Sequence, residues 1–196
     1  MTKILSIATC LFLCMFFSNA NADTELLFIR HGEKPELGLG QLNCHGLNRS
    51  LALPKVLMAR FGSIDMIIAP NPSHQKTDHG KSFSYVRPLA TIEPTAIQYG
   101  LPVDTSTAFD DVGSLASFVE QASANKNAQR ILIAWEHHYA QQAVKKIAEA
   151  HGLTLDIPIW SDDDFDSIYI LDLKATGNAS FRIEKEGLDN LSSECP

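Results

Sequence analysis

The chain has 196 residues, 45% of them hydrophobic, and a formal net charge of −7 at pH 7. This length is enough for one domain with a substantial core, and neither an internal repeat nor a low-complexity linker divides it. An acidic chain without a cluster of lysine and arginine argues against nucleic acid or an anionic membrane surface as a partner.

Residues 1–22 have the layout of a secretory signal peptide. Lys3 precedes a long, largely apolar run, and the segment closes with a small-x-small cleavage pattern at residues 20–22. The apolar run is too short to span a bilayer as a stable helix, although an uncleaved N-terminal anchor is the alternative interpretation. We therefore expect cleavage after about Ala22, a secreted or periplasmic domain over residues 23–196, and no integral membrane association.

The first half of this domain is predicted to alternate between strands and helices. Short apolar runs bounded by polar residues predict buried strands, and apolar residues three and four positions apart predict helices. Segments rich in glycine, proline and charge predict loops. In chain order these are a strand at 24–30, a loop at 33–41, a helix at 47–61, a strand at 64–69, a long polar loop at 70–82 and a helix at 88–99. Pro54 is expected near the start of the regular part of the first helix, or to kink it.

The second half continues the alternation and closes with a pair of strands. The same patterns predict a helix at 112–124, a strand at 130–135, a helix at 138–150, and strands at 167–173 and 180–184. Strands that alternate with helices indicate an α/β fold. We expect a three-layer sandwich, with a mostly parallel central sheet and helices on both faces.

Two of the predicted strands end in turns that carry histidine. The first strand runs into Arg30-His31-Gly32, and the strand at 130–135 is followed closely by His137-His138. In sheets of this kind ligands bind just beyond the carboxyl ends of the strands. We therefore expect a site where these two turns meet.

The Arg-His-Gly turn has side chains that suit phosphoryl chemistry. Arg30 offers a planar set of donors that matches phosphate oxygens. His31, neutral near pH 7, can attack phosphorus through a ring nitrogen. Gly32 can adopt the backbone conformation of a sharp exit turn and lets a ligand approach closely. A tripeptide alone is weak evidence, so the interpretation depends on the rest of the chain.

Five stretches together resemble one known family. The segment "LLFIRHGEKP" at residues 26–35 is similar to the opening of the histidine phosphatase superfamily, which has the phosphoglycerate mutase-like fold. The resemblance continues, in the family's order, through "GLNRSLALP" at 46–54, "VRPLATIEP" at 86–94, "ILIAWEHHYAQ" at 131–141 and "WSDDDFDSIYIL" at 160–171.

The resemblance implies a role for each residue of the expected site. His31 would be the nucleophile that becomes phosphorylated, and Arg30 and Arg87 would bind the phosphate. His137 would complete the pocket, with His138, at the start of the next helix, as the alternative. A phosphoryl group in transit spreads negative charge over its oxygens, so two arginines and two imidazoles can stabilise it without a metal or another cofactor.

The activity implied is that of a phosphohydrolase. It would act as a phosphomonoesterase through a phosphohistidine intermediate, on a phosphorylated small molecule or protein. Two alternatives stay open. A phosphoglycerate mutase-like phosphotransferase would need a phosphoenzyme that outlives water, and a protein that binds phosphate-bearing ligands without turnover would have no need of the nucleophile.

A proton donor for the leaving group is harder to assign. The candidates are Asp110, Asp111 and Glu136, because superfamily members often use an acid between the second arginine and the second histidine, or next to that histidine. Asp111 also fits the N-cap of the helix that begins at Val112. The role can be vacant, since some small members do without a dedicated acid.

A few further residues carry weaker expectations. Glu33 and Lys34 are expected near the mouth of the pocket, and the loop at 70–82 is expected to form its rim, where substrate choice would be made. The histidines of that loop do not have the spacing of a metal site. Cys44 and Cys195 either form a disulfide that ties the C-terminal tail to the domain or remain apart.

Overall fold

A computed structural model describes residues 23–124, 129–154 and 156–196. The expected signal peptide lies outside these residues. Within the described part of the chain, no helix combines the length and the apolar character needed to cross a membrane.

The described chain forms eight strands and four helices. In chain order they are β1 (Thr24–Arg30), α1 (Cys44–Phe61), β2 (Met66–Ile68), β3 (Gln75–Asp78), β4 (Lys81–Ser84), α2 (Arg87–Tyr99), β5 (Val103–Asp104), α3 (Val112–Ser123), β6 (Arg130–Trp135), α4 (His137–Ala150), β7 (Ser167–Leu173) and β8 (Ala179–Lys185).

Six of the strands form one mostly parallel sheet in the order β5-β2-β6-β1-β7-β8. The first four run parallel to one another, and β7 pairs antiparallel with both β1 and β8. The middle residues of the central strands are apolar, as expected for a sheet that is covered on both faces. In β1, for example, Leu26 and Phe28 pack in the core with α3 and α4, whereas Leu27 and Ile29 pack with α1 and α2. The predicted three-layer α/β architecture is confirmed.

The prediction of a polar loop at 70–82 was wrong in one respect, because these residues include most of a β-hairpin. Strands β3 and β4 pair antiparallel around His79 and Gly80, whose φ angles are 49° and 76°. A two-residue turn with positive φ at both positions matches the twist of the flanking strands. Both strands are mainly polar, so neither gave the alternation of a half-buried strand. The two-residue strand β5 was missed because it is too short to form a pattern.

Helix α1 begins three residues earlier than expected. Asn43 is its N-cap, and its Oδ1 accepts a hydrogen bond from Gly46 N at 2.9 Å. Pro54 consequently lies well inside the helix rather than near its start. At the first residue of the helix, Cys44 is joined by a disulfide bond to Cys195. The bond ties the C-terminal tail to the beginning of α1.

Candidate active site

The two histidine-bearing turns lie side by side because β1 and β6 are neighbours in the sheet. Arg30 is paired with Trp135 in register, so the residues that follow each of them leave the sheet at the same edge. The backbone N–H of His31 donates to the carbonyl of Trp135 at 3.0 Å and extends this pairing by one residue. The expected meeting of the two turns is therefore observed.

His31 is held as a neutral imidazole with one free ring nitrogen. It is buried, and its Nδ1 lies 2.7 Å from the carbonyl oxygen of Gly32. Because a carbonyl can only accept, Nδ1 carries the proton and Nε2 carries the lone pair. Burial lowers the pKa of His31 well below its usual value, and the charges of Arg30, Arg87 and His137 lower it further. Arg30, Arg87 and His137 therefore lie near enough to His31 to influence its protonation.

The Gly32 turn is shaped by the helix behind it. Gly32 does not have a positive φ, so its backbone angles alone do not require glycine. A side chain there would instead meet the backbone of Gly46 at 3.0 Å, and one at Gly46 would lie 2.4 Å from the carbonyl oxygen of Glu33. The N–H of Gly32 donates to Thr91 Oγ1 at 2.8 Å. Because neither Gly32 nor Gly46 has a side chain, α1 can pack directly against the turn that carries His31.

Arg30 is held by the loop before β7. Its Nη1 donates to the backbone carbonyls of Ser161, Asp162 and Asp164 at 3.2, 2.6 and 3.1 Å. Its guanidinium also lies 3.7 Å from the ring centroid of Phe165, a cation–π contact. Among the described residues its buried Nε has no hydrogen-bond partner.

Arg87 is held by the hairpin. It is fully buried at the first residue of α2, and its Nη2 donates to Asp78 Oδ2 at 2.9 Å. The ring of Tyr85 lies 5.0 Å from its guanidinium and meets His31 edge-on at 6.0 Å. Within the described chain both Arg87 Nε and the Tyr85 hydroxyl are buried without a hydrogen-bond partner.

His137 is the first residue of α4 and is buried. Its Nε2 lies 2.7 Å from Asp162 Oδ1, and its Nδ1 lies 3.3 Å from Glu136 Oε1 without a hydrogen bond of good geometry. Burial and the charge of Arg30 lower the pKa of His137 more than the two carboxylates raise it. His138, the alternative, is about half exposed, and its ring lies tilted against that of His137 with centroids 4.0 Å apart. Of the two, His137 is therefore the one buried near His31.

The three candidate proton donors occupy different places, and Asp110 is exposed. Glu136 is buried and is the N-cap of α4, where its Oε2 accepts from the N–H groups of His138 and Tyr139. Asp111 is exposed and is the N-cap of α3, as the sequence suggested, and hydrogen bonds from Ser114 lower its pKa. Of the three candidates, Glu136 is thus the one in contact with His137. The structure shows no contact between Asp111 and the four side chains of the site.

A buried arginine that the sequence analysis did not single out supports the turn. Arg49, on α1, is fully buried and contacts four carboxylates: Glu33 at 2.6 Å, Glu186 at 2.7 Å, Asp189 at 2.8 Å and Asp166 at 3.3 Å. We call this group the Arg49 cluster. Glu33 is therefore bound to Arg49 rather than turned toward a substrate.

Other residues around the site also escaped the sequence analysis. The signal for Asp78 was a single acid in a polar loop, and for Phe165 a single aromatic among acids, and neither pattern is specific. A surface groove of about 420 Å³ near α2 and β5, lined by Leu89, Glu93 and Ile97 among others, contains none of the four predicted side chains. The candidate site is therefore identified by its side chains and not by the volume of a surface groove.

Comparisons with known proteins agree on the fold. No protein-family model and no curated protein matches the sequence. Among solved structures, the protein histidine phosphatase SixA complexed with tungstate matches with a TM-score of 0.59 and 15% identity, over 83% of this chain and 97% of that chain.

Two further solved structures match over most of both chains. Phosphoglycerate mutase from Plasmodium falciparum matches with a TM-score of 0.56 and 12% identity, over 90% of this chain and 98% of that one. The α-ribazole phosphatase from Shigella flexneri matches with a TM-score of 0.53 and 14% identity, over 88% and 98%. All three have the fold of the histidine phosphatase superfamily, so the fold implied by the sequence resemblance is confirmed.

Proposed function

We propose that the chain is a phosphomonoesterase that works through a phosphohistidine intermediate on His31. One observation carries the proposal: His31 has a free Nε2, and the buried side chains around it have polar atoms without partners. These atoms are Arg30 Nε, Arg87 Nε and the Tyr85 hydroxyl. Because buried polar groups are nearly always paired, such a set around one nucleophile suits a polyanionic ligand.

The reaction follows from the state of His31. Its Nε2 lone pair attacks phosphorus, the bond between phosphorus and the ester oxygen breaks, and the alcohol leaves with a proton from the site. Water then attacks the phosphorus of the phosphohistidine, releases inorganic phosphate and restores the imidazole. The hydrogen bond from Nδ1 to Gly32 holds the ring in the required tautomer throughout.

The arginines lower the barrier to both steps. The transferring phosphoryl group spreads its charge over three oxygens, so fixed cations around it supply most of the catalysis. Arg30 and Arg87 are fixed by the loop before β7 and by Asp78, so they need little reorganisation during the reaction. The proposed mechanism uses no metal.

Glu136 is the best of the three candidate proton donors. Its Oε1 is 3.3 Å from His137 Nδ1, so Glu136 and His137 can pass a proton to the leaving oxygen together. We expect Glu136→Gln to slow hydrolysis of an alkyl phosphate more than that of p-nitrophenyl phosphate, whose leaving group needs little protonation. Asp111→Asn, the matched control, should change neither rate, and equal losses on both esters in Glu136→Gln would contradict the assignment.

Location and substrate class complete the proposal. The secreted or periplasmic location expected from residues 1–22 accords with the disulfide between Cys44 and Cys195, because such bonds persist in oxidising compartments. The β3–β4 hairpin contacts Arg87 through Asp78, and we assign it as a rim of the site. The proposed substrates are exposed phosphates on a small molecule or a protein.

The first test is steady-state hydrolysis of p-nitrophenyl phosphate by residues 23–196 in the presence of a chelator. We expect activity in the parent, none above background in His31→Ala, and inhibition by tungstate as a phosphate analogue. His74→Ala, which changes an exposed histidine of the rim, is the matched control and should remain active. Activity that survives in His31→Ala would refute the mechanism.

A further inference from the structure

Three potential metal ligands converge beside the proposed phosphate site. Asp162 Oδ1 lies 2.7 Å from His137 Nε2 and 3.4 Å from His138 Nε2. The two imidazole rings are tilted by 33° with centroids 4.0 Å apart, and each has its Nε2 within 3.4 Å of the same Asp162 oxygen. The proposed hydrolysis uses His137 alone of these three.

We propose that His137, His138 and Asp162 bind a divalent transition-metal ion of the Zn²⁺ class, and that the bound ion blocks the phosphate site. Two imidazoles and a carboxylate form a donor set typical of Zn²⁺, whereas Ca²⁺ and Mg²⁺ prefer oxygen ligands. A fourth position would stay open to water.

The two distances that join the imidazoles to Asp162 are compatible with this coordination. Ligand atoms about 2.0–2.1 Å from a tetrahedral ion lie roughly 3.3 Å from one another. The distances of 2.7 and 3.4 Å in the structure lie on either side of that value. The Asp162 side chain is 79% exposed, so it can adjust by a few tenths of an ångström without disturbing packing.

Glu136 supplies a second, independent observation. A histidine that binds a metal through one ring nitrogen usually donates its other N–H to a carboxylate, which fixes the tautomer. His137 Nδ1 is buried and has no hydrogen-bond partner in the described residues, yet it lies 3.3 Å from Glu136 Oε1. When a metal takes Nε2, the imidazole proton moves to Nδ1, which can then donate to Glu136.

Binding would compete with phosphate for two reasons. The ion would occupy the face of His137 that the proposed function assigns to substrate. It would also fix Asp162, whose backbone carbonyl accepts from Arg30 Nη1 at 2.6 Å, and so hold the loop against Arg30. Metal binding itself does not depend on the proposed function, but the predicted inhibition rests on it.

The test uses untagged residues 23–196 and Co²⁺, whose visible absorption reports tetrahedral coordination. We expect one Co²⁺ per chain, displaced by Zn²⁺ and antagonised by tungstate. Binding should be weakened at least about 100-fold in His138→Ala, which removes one of three ligands. His79→Ala, an exposed histidine outside the group, is the matched control and should bind like the parent.

Activity provides a second readout. Zn²⁺ should inhibit p-nitrophenyl phosphate hydrolysis by the parent, and His138→Ala should keep its activity while losing the inhibition. Equal Co²⁺ affinity in parent and His138→Ala, or the lack of a one-to-one complex, would overturn the metal site. A protein that binds Co²⁺ through His138 but does not hydrolyse the ester would contradict only the proposed hydrolase function. A protein that hydrolyses the ester but does not bind Co²⁺ would contradict only the metal proposal.

Discussion

Replacing Glu186 by glutamine should remove a pH dependence of stability that originates in the Arg49 cluster. Glu186 is buried and receives a hydrogen bond from Arg49 at 2.7 Å, while its Oε1 has no partner in the described chain. One guanidinium cannot neutralise four carboxylates, so the most buried of them, Glu186, is stabilised when it is protonated. Burial raises the pKa of Glu186 to about 8, and the charges of Asp166 and Glu33 raise it while Arg49 opposes them.

The sign and size of the effect follow from linkage. Between about pH 4.5 and pH 8 the folded chain keeps the Glu186 proton, whereas the unfolded chain releases it. The folded state therefore binds more protons, and the free energy of unfolding falls as pH rises through this window. Each pKa unit corresponds to 1.36 kcal/mol, so the loss approaches roughly 5 kcal/mol above the window.

Glutamine cannot titrate but can still accept from Arg49. We expect urea unfolding to give similar free energies for parent and Glu186→Gln near pH 4.5, and a growing advantage for the variant up to about pH 8. Asp189→Asn removes an exposed carboxylate from the same guanidinium and should show a nearly constant difference. A parent-to-variant difference in Glu186→Gln that does not change with pH would refute the reasoning.

Three further changes test how the site is supported. Gly46→Ala places a Cβ 2.4 Å from the carbonyl oxygen of Glu33, the residue after the Arg-His-Gly turn. It should lower the free energy of unfolding by roughly 3 kcal/mol and remove most of the activity. Gly113→Ala, whose nearest contact is at 3.5 Å, should change neither stability nor activity. The Cys44→Ala/Cys195→Ala double variant opens a link between residues 151 apart and should lose up to about 5 kcal/mol while retaining activity. Asp78→Ala leaves a buried guanidinium unpaired and should cost about 3–5 kcal/mol. Thermal and urea unfolding, with hydrolysis assays alongside, measure all three, and unchanged stability in any of them would contradict the corresponding contact.

Local sequence patterns predicted the strands of the central sheet better than the β3–β4 hairpin beside it. The strands at 24–30, 130–135 and 167–173 match the structure residue for residue, because strands buried on both faces are continuous apolar runs. The β3–β4 hairpin was missed because its strands are mainly polar and its turn carries His79 rather than asparagine. The contact of that hairpin with α2 is made by Asp78 and Arg87, which lie in separate segments, and no periodicity predicts such a contact.

The candidate site was predictable where its residues follow strands directly. His31 and His137 each lie at the end of a strand, so the topology of the sheet brings them together. Asp162 and Phe165 reach Arg30 only through the path of a loop, and Arg49 gathers carboxylates from three distant segments. Such contacts depend on tertiary packing, and the residue types alone gave no sign of them.

The most direct test of the central claim is to trap the covalent intermediate. Residues 23–196 mixed with a ³²P-labelled phosphomonoester and quenched in alkali should carry label that survives base, is lost in acid, and maps to the peptide containing His31. His74→Ala should be labelled in the same way and His31→Ala should not. Rapid turnover without labelled protein at the shortest times, or equal labelling of His31→Ala, would contradict the account.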